Sequence, residues 1–359
     1  MDQTDGVDSF RSMRSTPFAL VGVVLLMSLF AMSAAAEDWQ ADLRHSLQSI
    51  DDEYPGELGV FVHDLESNRT VSLRADESWY LASTIKVPVA MAVMEAVDRK
   101  ELTLDTEVEL ESTDFVDGAG ETNWKSPGDK VTVRYLFEQM LIHSDNTATD
   151  VLIRVVGKDA VNDLIAAITE GGIGEITSLA DVRRYAYSRF HERAMDLSSD
   201  DMFTIKKAGA GSNRVQALAK VLDVEPGDFQ VPDLDAAFDR YYDSGLNSGR
   251  LDDFSRVFEA LATNQVLNET SHRHILSLLE KIETGDNRIQ AGLPEHVSFA
   301  HKTGTQHRRA CNIGLAMAGD HPGVIIAACG RNTADLGASE KAFRQVGEAV
   351  TDTGVFGDD

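Results

Sequence analysis

An α+β architecture is predicted, with an antiparallel sheet assembled from both ends of the chain and an all-helical lobe inserted between them. Strand-like runs occur near residues 58–74 and again only after residue 297. Helical periodicity fills most of the interval, and a helical pattern stands at either end. A two-stranded ribbon is marginal alone, so the early strands must pair with the late ones beneath the terminal helices. A cleft between two such lobes is a favoured ligand position.

Trp39, Leu43, Leu47 and Ile50 are spaced along one helix face. Leu58 to Leu65 and Thr70 to Arg74 read as strands joined through Glu66-Ser67-Asn68-Arg69. Residues 86–98, rich in Val, Ala and Met, read as a helix, and Thr132 caps another that carries Leu136, Met140 and Leu141. A further helical run spans Ala148 to Val156, and the last helix uses Ala342, Phe343, Val346 and Val350. These elements place the sheet lobe at 37–80 and 288–359 and the helical lobe at 81–287. Residues 181–250, with clustered Asp, Gly and Ser and weak periodicity, read as a long insertion of loops and about two short helices lying against the cleft.

Composition narrows the function. The 359 residues include 59 acidic and 33 basic side chains, a formal net charge of −26, which excludes nucleic acid as a partner and disfavours an anionic membrane surface. At 43% hydrophobic residues and 8 prolines, a packed core is expected. Residues 1–36 read as a cleaved secretory signal: Arg11 and Arg14, an apolar run from Pro17 to Met32, then Ala34-Ala35-Ala36. A mature chain starting near Glu37 is therefore expected to be periplasmic or secreted, off the membrane after cleavage, and monomeric. No cofactor or metal is expected, for Cys311 and Cys329 are the only cysteines and form no C-x-x-C. If Ala310 to Met317 and Gly323 to Cys329 form a hairpin with Met317 opposite Gly323, the two cysteines face each other. A disulfide and a pair of small buried hydrophobes are then both open readings.

Three motifs stand in order: Ser83-Thr84-Ile85-Lys86, Ser144-Asp145-Asn146 and Lys302-Thr303-Gly304. Alone, Ser83 is as readily a helix N-cap and Lys86 a solvated lysine. Together they describe nucleophilic catalysis. Residues i and i+3 share a helix face, which sets the Lys86 amine beside the Ser83 hydroxyl as its base. Burial and a second cation, Lys302, would lower the Lys86 pKa. The N–H groups of Ser83 and Thr305 are candidates for the oxyanion hole. Ser144 would relay the proton to the leaving nitrogen and Asn146 would hold a substrate amide. Lys302, Thr303, Gly304 and Thr305 would receive a substrate carboxylate, with Arg308 or Arg309 as a candidate assistant and a solvent-facing role equally open to either.

The segments Ala82 to Pro88, Ile142 to Thr149 and Thr284 to Thr305 resemble class A serine β-lactamases and the related penicillin-binding proteins, over most of residues 40–180 and 248–350. The resemblance implies a β-lactamase/transpeptidase-like fold and a serine hydrolase that opens a β-lactam through an acyl-Ser83 intermediate. It leaves a D-Ala-D-Ala-type peptidase acting on peptidoglycan-like peptides, or a slowly turning over penicillin-binding protein, as alternatives. The chain departs from this family where a glutamate should activate the deacylating water. After Thr177-Ser178-Leu179 the sequence runs Ala180-Asp181-Val182-Arg183-Arg184, and an ungapped match places Arg183 at the glutamate position. Glu192 is the nearest glutamate that could replace it, although a surface charge is the plainer reading; Asp181 is a second candidate. His272-Arg273-His274 suggests half a metal site, but i and i+2 do not share a helix face, and a solvated helix end is expected there.

Overall fold

The computed structural model describes residues 39–356, so the expected signal segment lies outside the described residues. The first element, α1, covers residues 39–53. Strands β1 (Glu57–Asp64) and β2 (Arg69–Leu73) follow. Two short ribbons come next, β3 (Trp79–Tyr80) with β6 (Ser248–Gly249) and β4 (Glu107–Glu109) with β5 (Lys130–Thr132). The late strands are β7 (Ser298–Gln306), β8 (Arg309–Met317) and β9 (Val324–Arg331). The long strands form one antiparallel sheet in the order β2-β1-β9-β8-β7, so the two chain ends meet where β1 pairs with β9, Val60 opposite Ala328. The sheet is covered on both faces, which explains why β1, β8 and β9 are almost continuously buried rather than alternating. One cover is α12 (Leu336–Thr351), which buries Ala342, Phe343, Val346 and Val350 beside β8 and β9; α10 (Leu251–Ala262) meets β1, β8 and β9.

Between the sheet's two halves the chain is mainly helical. The 3₁₀ turn Ala82–Ile85 leads directly into α2 (Lys86–Asp98), whose first nine residues, Lys86 to Met94, are all buried. Its sequence has no polar stripe there because it is enclosed on every side. Helix α3 (Val133–Ile142) begins at Thr132, whose side chain accepts from the Tyr135 N–H, and α4 (Asn146–Val156) begins at Asp145, whose carboxylate accepts from Ala148. Helix α5 (Lys158–Thr169) completes this first group. From Leu43 onward the chain forms one compact unit.

The segment 181–250 departs from expectation. It is an ordered helical layer: α6 (Leu179–Ser188), the 3₁₀ turn Glu192–Asp196, α7 (Ser199–Lys207), α8 (Gly211–Leu222) and α9 (Leu234–Tyr242). Asp and Ser clusters that suggest loops in the sequence prove to be helix starts. Ser198 and Asp201 form a capping box, and Asp233 caps α9. The layer has its own core, including Val182, Phe190, Leu218, Leu222 and Phe238, in which Phe190 and Phe229 pack edge to face at 5.1 Å. Many small amphipathic helices sharing one satellite core leave a weak periodic signal.

The hairpin register is as expected, with Cys311 opposite Cys329, and the two cysteines are joined as a disulfide. His272 and His274 lie within α11 (Glu269–Leu279) rather than at its end. The His274 ring stacks on Phe137 at 5.7 Å, and burial lowers its pKa.

Candidate active site

A cavity of about 520 Å³ is lined by Ser83, Ser144 and Asn146, by Thr303 and Thr305 of β7, and by residues of α6 to α9. The three motifs thus converge on one cleft although they stand far apart in the chain. Local backbone geometry presents them. Ala82 and Ser144 both occupy the left-handed region, with φ of 49° and 57°, each at a cost of about 1–3 kcal/mol that the surrounding fold must offset.

Lys86 is fully buried, and its Nζ donates to the Ser144 carbonyl oxygen at 2.6 Å, to Ser144 Oγ at 3.2 Å and to Asn146 Oδ1 at 2.9 Å. Burial lowers its pKa to about 7; Asp145 and Asp150 oppose the shift and Arg183 adds to it. An amine that is half neutral near pH 7 can accept a proton. Lys302 is buried as well, with Nζ 3.4 Å from the Thr303 carbonyl oxygen. Burial holds its pKa well below the ordinary lysine value, and the positive charges of Lys86 and Arg288 act in the same direction.

Gly304 explains how β7 reaches the serine. A Cβ built there would lie 2.7 Å from the Leu81 carbonyl oxygen, 2.9 Å from Ala82 Cβ and 3.1 Å from the Ser83 nitrogen. Only a residue without a side chain lets the strand lie this close to the Ser83 main chain. Behind the same turn, Cys311 Sγ contacts the Tyr80 carbonyl oxygen at 3.4 Å, so the disulfide backs the segment that carries Ser83.

Asn146 is fixed from two sides: its Nδ2 donates to the Asp117 carbonyl oxygen at 3.0 Å, and its Oδ1 accepts from Lys86. Asp145 does not line the cavity; it secures the neighbouring loop by accepting from the Thr122 N–H at 2.8 Å. Asp150, also buried, receives the N–H groups of Leu179 and Ala180 at 2.6 and 2.9 Å, tying α4 to the start of α6. Burial raises its pKa to about 7 against those two bonds, which favour the ionised form.

Three sequence candidates, Glu192, Arg308 and Asp181, lie elsewhere. Glu192 is exposed in the 3₁₀ turn Glu192–Asp196 and does not line the cavity, because the segment after α6 folds outward into the helical layer. Arg308 also lies off the lining and faces Asp235 and Asp239 at 3.4 and 3.5 Å. Asp181 pairs with Arg184 at 3.0 Å. The cation beside Thr305 is instead Arg288, a residue not singled out from sequence. It is buried and donates to Thr305 Oγ1 and to the Cys311 carbonyl oxygen, both at 3.0 Å, with Glu340 at 3.5 Å. Its place ahead of Lys302-Thr303-Gly304 is visible in the sequence, but nothing in an isolated arginine announces a buried one.

Arg183 stands in the cavity wall, at the position the ungapped match assigns to the family's glutamate. Its Nε donates to Asp117 Oδ1 at 2.7 Å in a buried pair. Burial works against its charge, yet Asp117 outweighs that and raises its pKa.

With this geometry in view, the comparisons with known proteins are specific. The profile of the Beta-lactamase enzyme family matches residues 42–353. Beta-lactamase ROB-1 of Haemophilus influenzae is 33% identical over 118 residues, 33% of this chain; the match spans only 38% of that relative's length. Beta-lactamase VEB-1 of Pseudomonas aeruginosa is 20% identical over 84% of both chains. Among solved structures, a single-residue mutant of PBP-A, described as an acyl-enzyme complex with penicillin G, superposes with a TM-score of 0.65 at 18% identity, covering 87% of this chain and 96% of that one. The match across nearly the whole described chain, together with the convergence of the three motifs, shows that this chain belongs to the beta-lactamase enzyme family.

Proposed function

We propose that the chain is a secreted serine hydrolase that opens β-lactams through an acyl-Ser83 intermediate. The observation that carries this reading is the buried Lys86 amine, held by Ser144 and Asn146 next to the turn that bears Ser83. Ser83 Oγ attacks the lactam carbonyl carbon while Lys86 accepts its proton. The negative charge on the carbonyl oxygen meets the N–H groups of Ser83 and Thr305. The C–N bond then breaks, and the proton passes from Lys86 through the Ser144 hydroxyl to the leaving nitrogen, along the 3.2 Å contact. Thr303, Thr305 and Arg288 receive the substrate carboxylate, and Lys302, whose pKa burial holds well below the ordinary lysine value, gains a reason to hold its proton as the anion arrives.

Water must then attack the ester carbon and return the proton to Ser83 as the acid leaves. Among the described lining residues Glu340 is the sole carboxylate, and it faces Arg288. With Arg183 in the wall, no lining carboxylate is unencumbered to activate that water, so the acyl-enzyme is expected to be long-lived. Time-resolved intact-mass spectrometry with a chromogenic cephalosporin tests both steps. A covalent adduct on the native chain that accumulates and decays slowly, and none on Ser83→Ala, is the expected result. Labelling of Ser83→Ala at the native rate would refute the nucleophile.

A further inference from the structure

The cavity has a second charged edge that the acylation chemistry does not use. Arg183 of α6, Lys206 of α7 and Arg214 of α8 all line it, and all three come from the helical layer at 181–250. Asp117 balances Arg183. Lys206 and Arg214 have no carboxylate within ion-pair distance among the described residues; the Arg214 Nε donates to the Gly209 carbonyl oxygen at 2.7 Å. Both thus present a cation without an ion-pair partner to a concave surface, in a chain of net charge −26. Several arginines elsewhere do pair with acids, as Arg154 does with Asp114 and Glu111, Arg250 with Asp252, and Arg331 with Glu57. Burial lowers the Lys206 pKa, Arg214 and Arg183 push it the same way, and Asp117, the partner of Arg183, opposes them.

The position of this edge indicates what it would meet. In the acylation reading Thr303, Thr305 and Arg288 form the receptor for one carboxylate. Arg183 is bonded to Asp117, whose carbonyl oxygen in turn receives Asn146, the residue placed to hold the substrate's acyl-side amide. The extra cations therefore adjoin the acyl side of the scissile bond. We propose that Lys206 and Arg214, beside Arg183, form a subsite for a second anionic group, selecting β-lactams whose acyl side chain carries a carboxylate over those with one carboxylate alone.

This inference rests on the acylation reading for the identity of the substrate, so binding and chemistry are measured separately. Calorimetry on Ser83→Ala, which removes the chemistry, compares benzylpenicillin with its α-carboxy derivative at low ionic strength. The dianion is expected to bind about tenfold tighter, the sum of two modest partly exposed charge contacts. Adding Lys206→Ala and Arg214→Ala should bring the two ligands to within about twofold, with benzylpenicillin affinity unchanged and the circular dichroism spectrum retained. Equal binding to Ser83→Ala, a preference that survives both replacements, or no binding of either penicillin would overturn the proposal. Intact mass of the native chain then separates the two ideas. A dianion preference in Ser83→Ala with no adduct on the native chain removes acylation and keeps the subsite; adduct formation without any preference does the reverse.

Discussion

Lys86 shows how burial turns an ordinary lysine into a base. Its amine has no carboxylate bonded to it; its partners are a carbonyl, a hydroxyl and an amide oxygen. Desolvation therefore dominates, and the pKa falls to about 7. Only the neutral amine can take the Ser83 proton. The acylation rate should accordingly rise with pH through a midpoint near 7 and drop about tenfold for each unit below it. Stopped-flow acylation from about pH 5 to 9 reads this directly, and a flat profile would mean that another group is the base. Gly304 is the complementary case, in which the absence of atoms matters. Gly304→Ala would force the added methyl against the Leu81 carbonyl and the Ser83 main chain. Acylation should fall by about 10²–10³, the loss typical of a displaced oxyanion donor, with a far smaller change in the urea midpoint. Native kinetics in that variant would show that β7 need not lie so close.

At the scale of elements, α6 replaces what the family resemblance presents as a glutamate-bearing loop. Ser178 caps it, Asp150 receives its first two N–H groups, and Arg183 one turn later enters the wall. The Arg183–Asp117 pair is buried, and removing one member leaves the other charged and unpaired. Asp117→Ala is therefore expected to lower stability by about 3–5 kcal/mol, measured by chemical denaturation. A loss below about 1 kcal/mol would mean that water reaches the arginine. Phe190 anchors the neighbouring helices of the same layer and is fully buried. Phe190→Ala should cost about 3–5 kcal/mol and loosen the layer that carries Lys206 and Arg214, detectable as faster hydrogen exchange in α7 and α8 than in α2. Uniform exchange across all three would show that the layer does not move as a unit.

For the molecule as a whole, the decisive fact is that the sheet needs both chain ends. The strand carrying Lys302-Thr303-Gly304 lies at the sheet edge, β1 from the start of the chain pairs with β9, and α12 covers β8 and β9. Deleting residues 336–359 uncovers the surface that Phe343 packs on and should abolish cooperative unfolding; a sharp thermal transition in the truncated chain would contradict this. Within that sheet the Cys311–Cys329 bridge links residues 18 apart in sequence, and its reduction should cost about 2–4 kcal/mol.

The order of elements, the edges of α2 and α3, the hairpin register and the grouping of Ser83, Lys86, Ser144 and Lys302 are readable along the chain, because each depends on local periodicity, capping or short motif spacing. Thr132, for instance, announces α3 by itself. The layer at 181–250, the outward place of Glu192, the replacement of Arg308 by Arg288 and the cationic edge at Lys206 and Arg214 are not. These depend on burial and on which charges become neighbours. Arg288 and Arg308 are chemically the same side chain; one is enclosed beside Thr305 and the other faces Asp235 and Asp239 away from the cavity, and long-range packing alone makes them different.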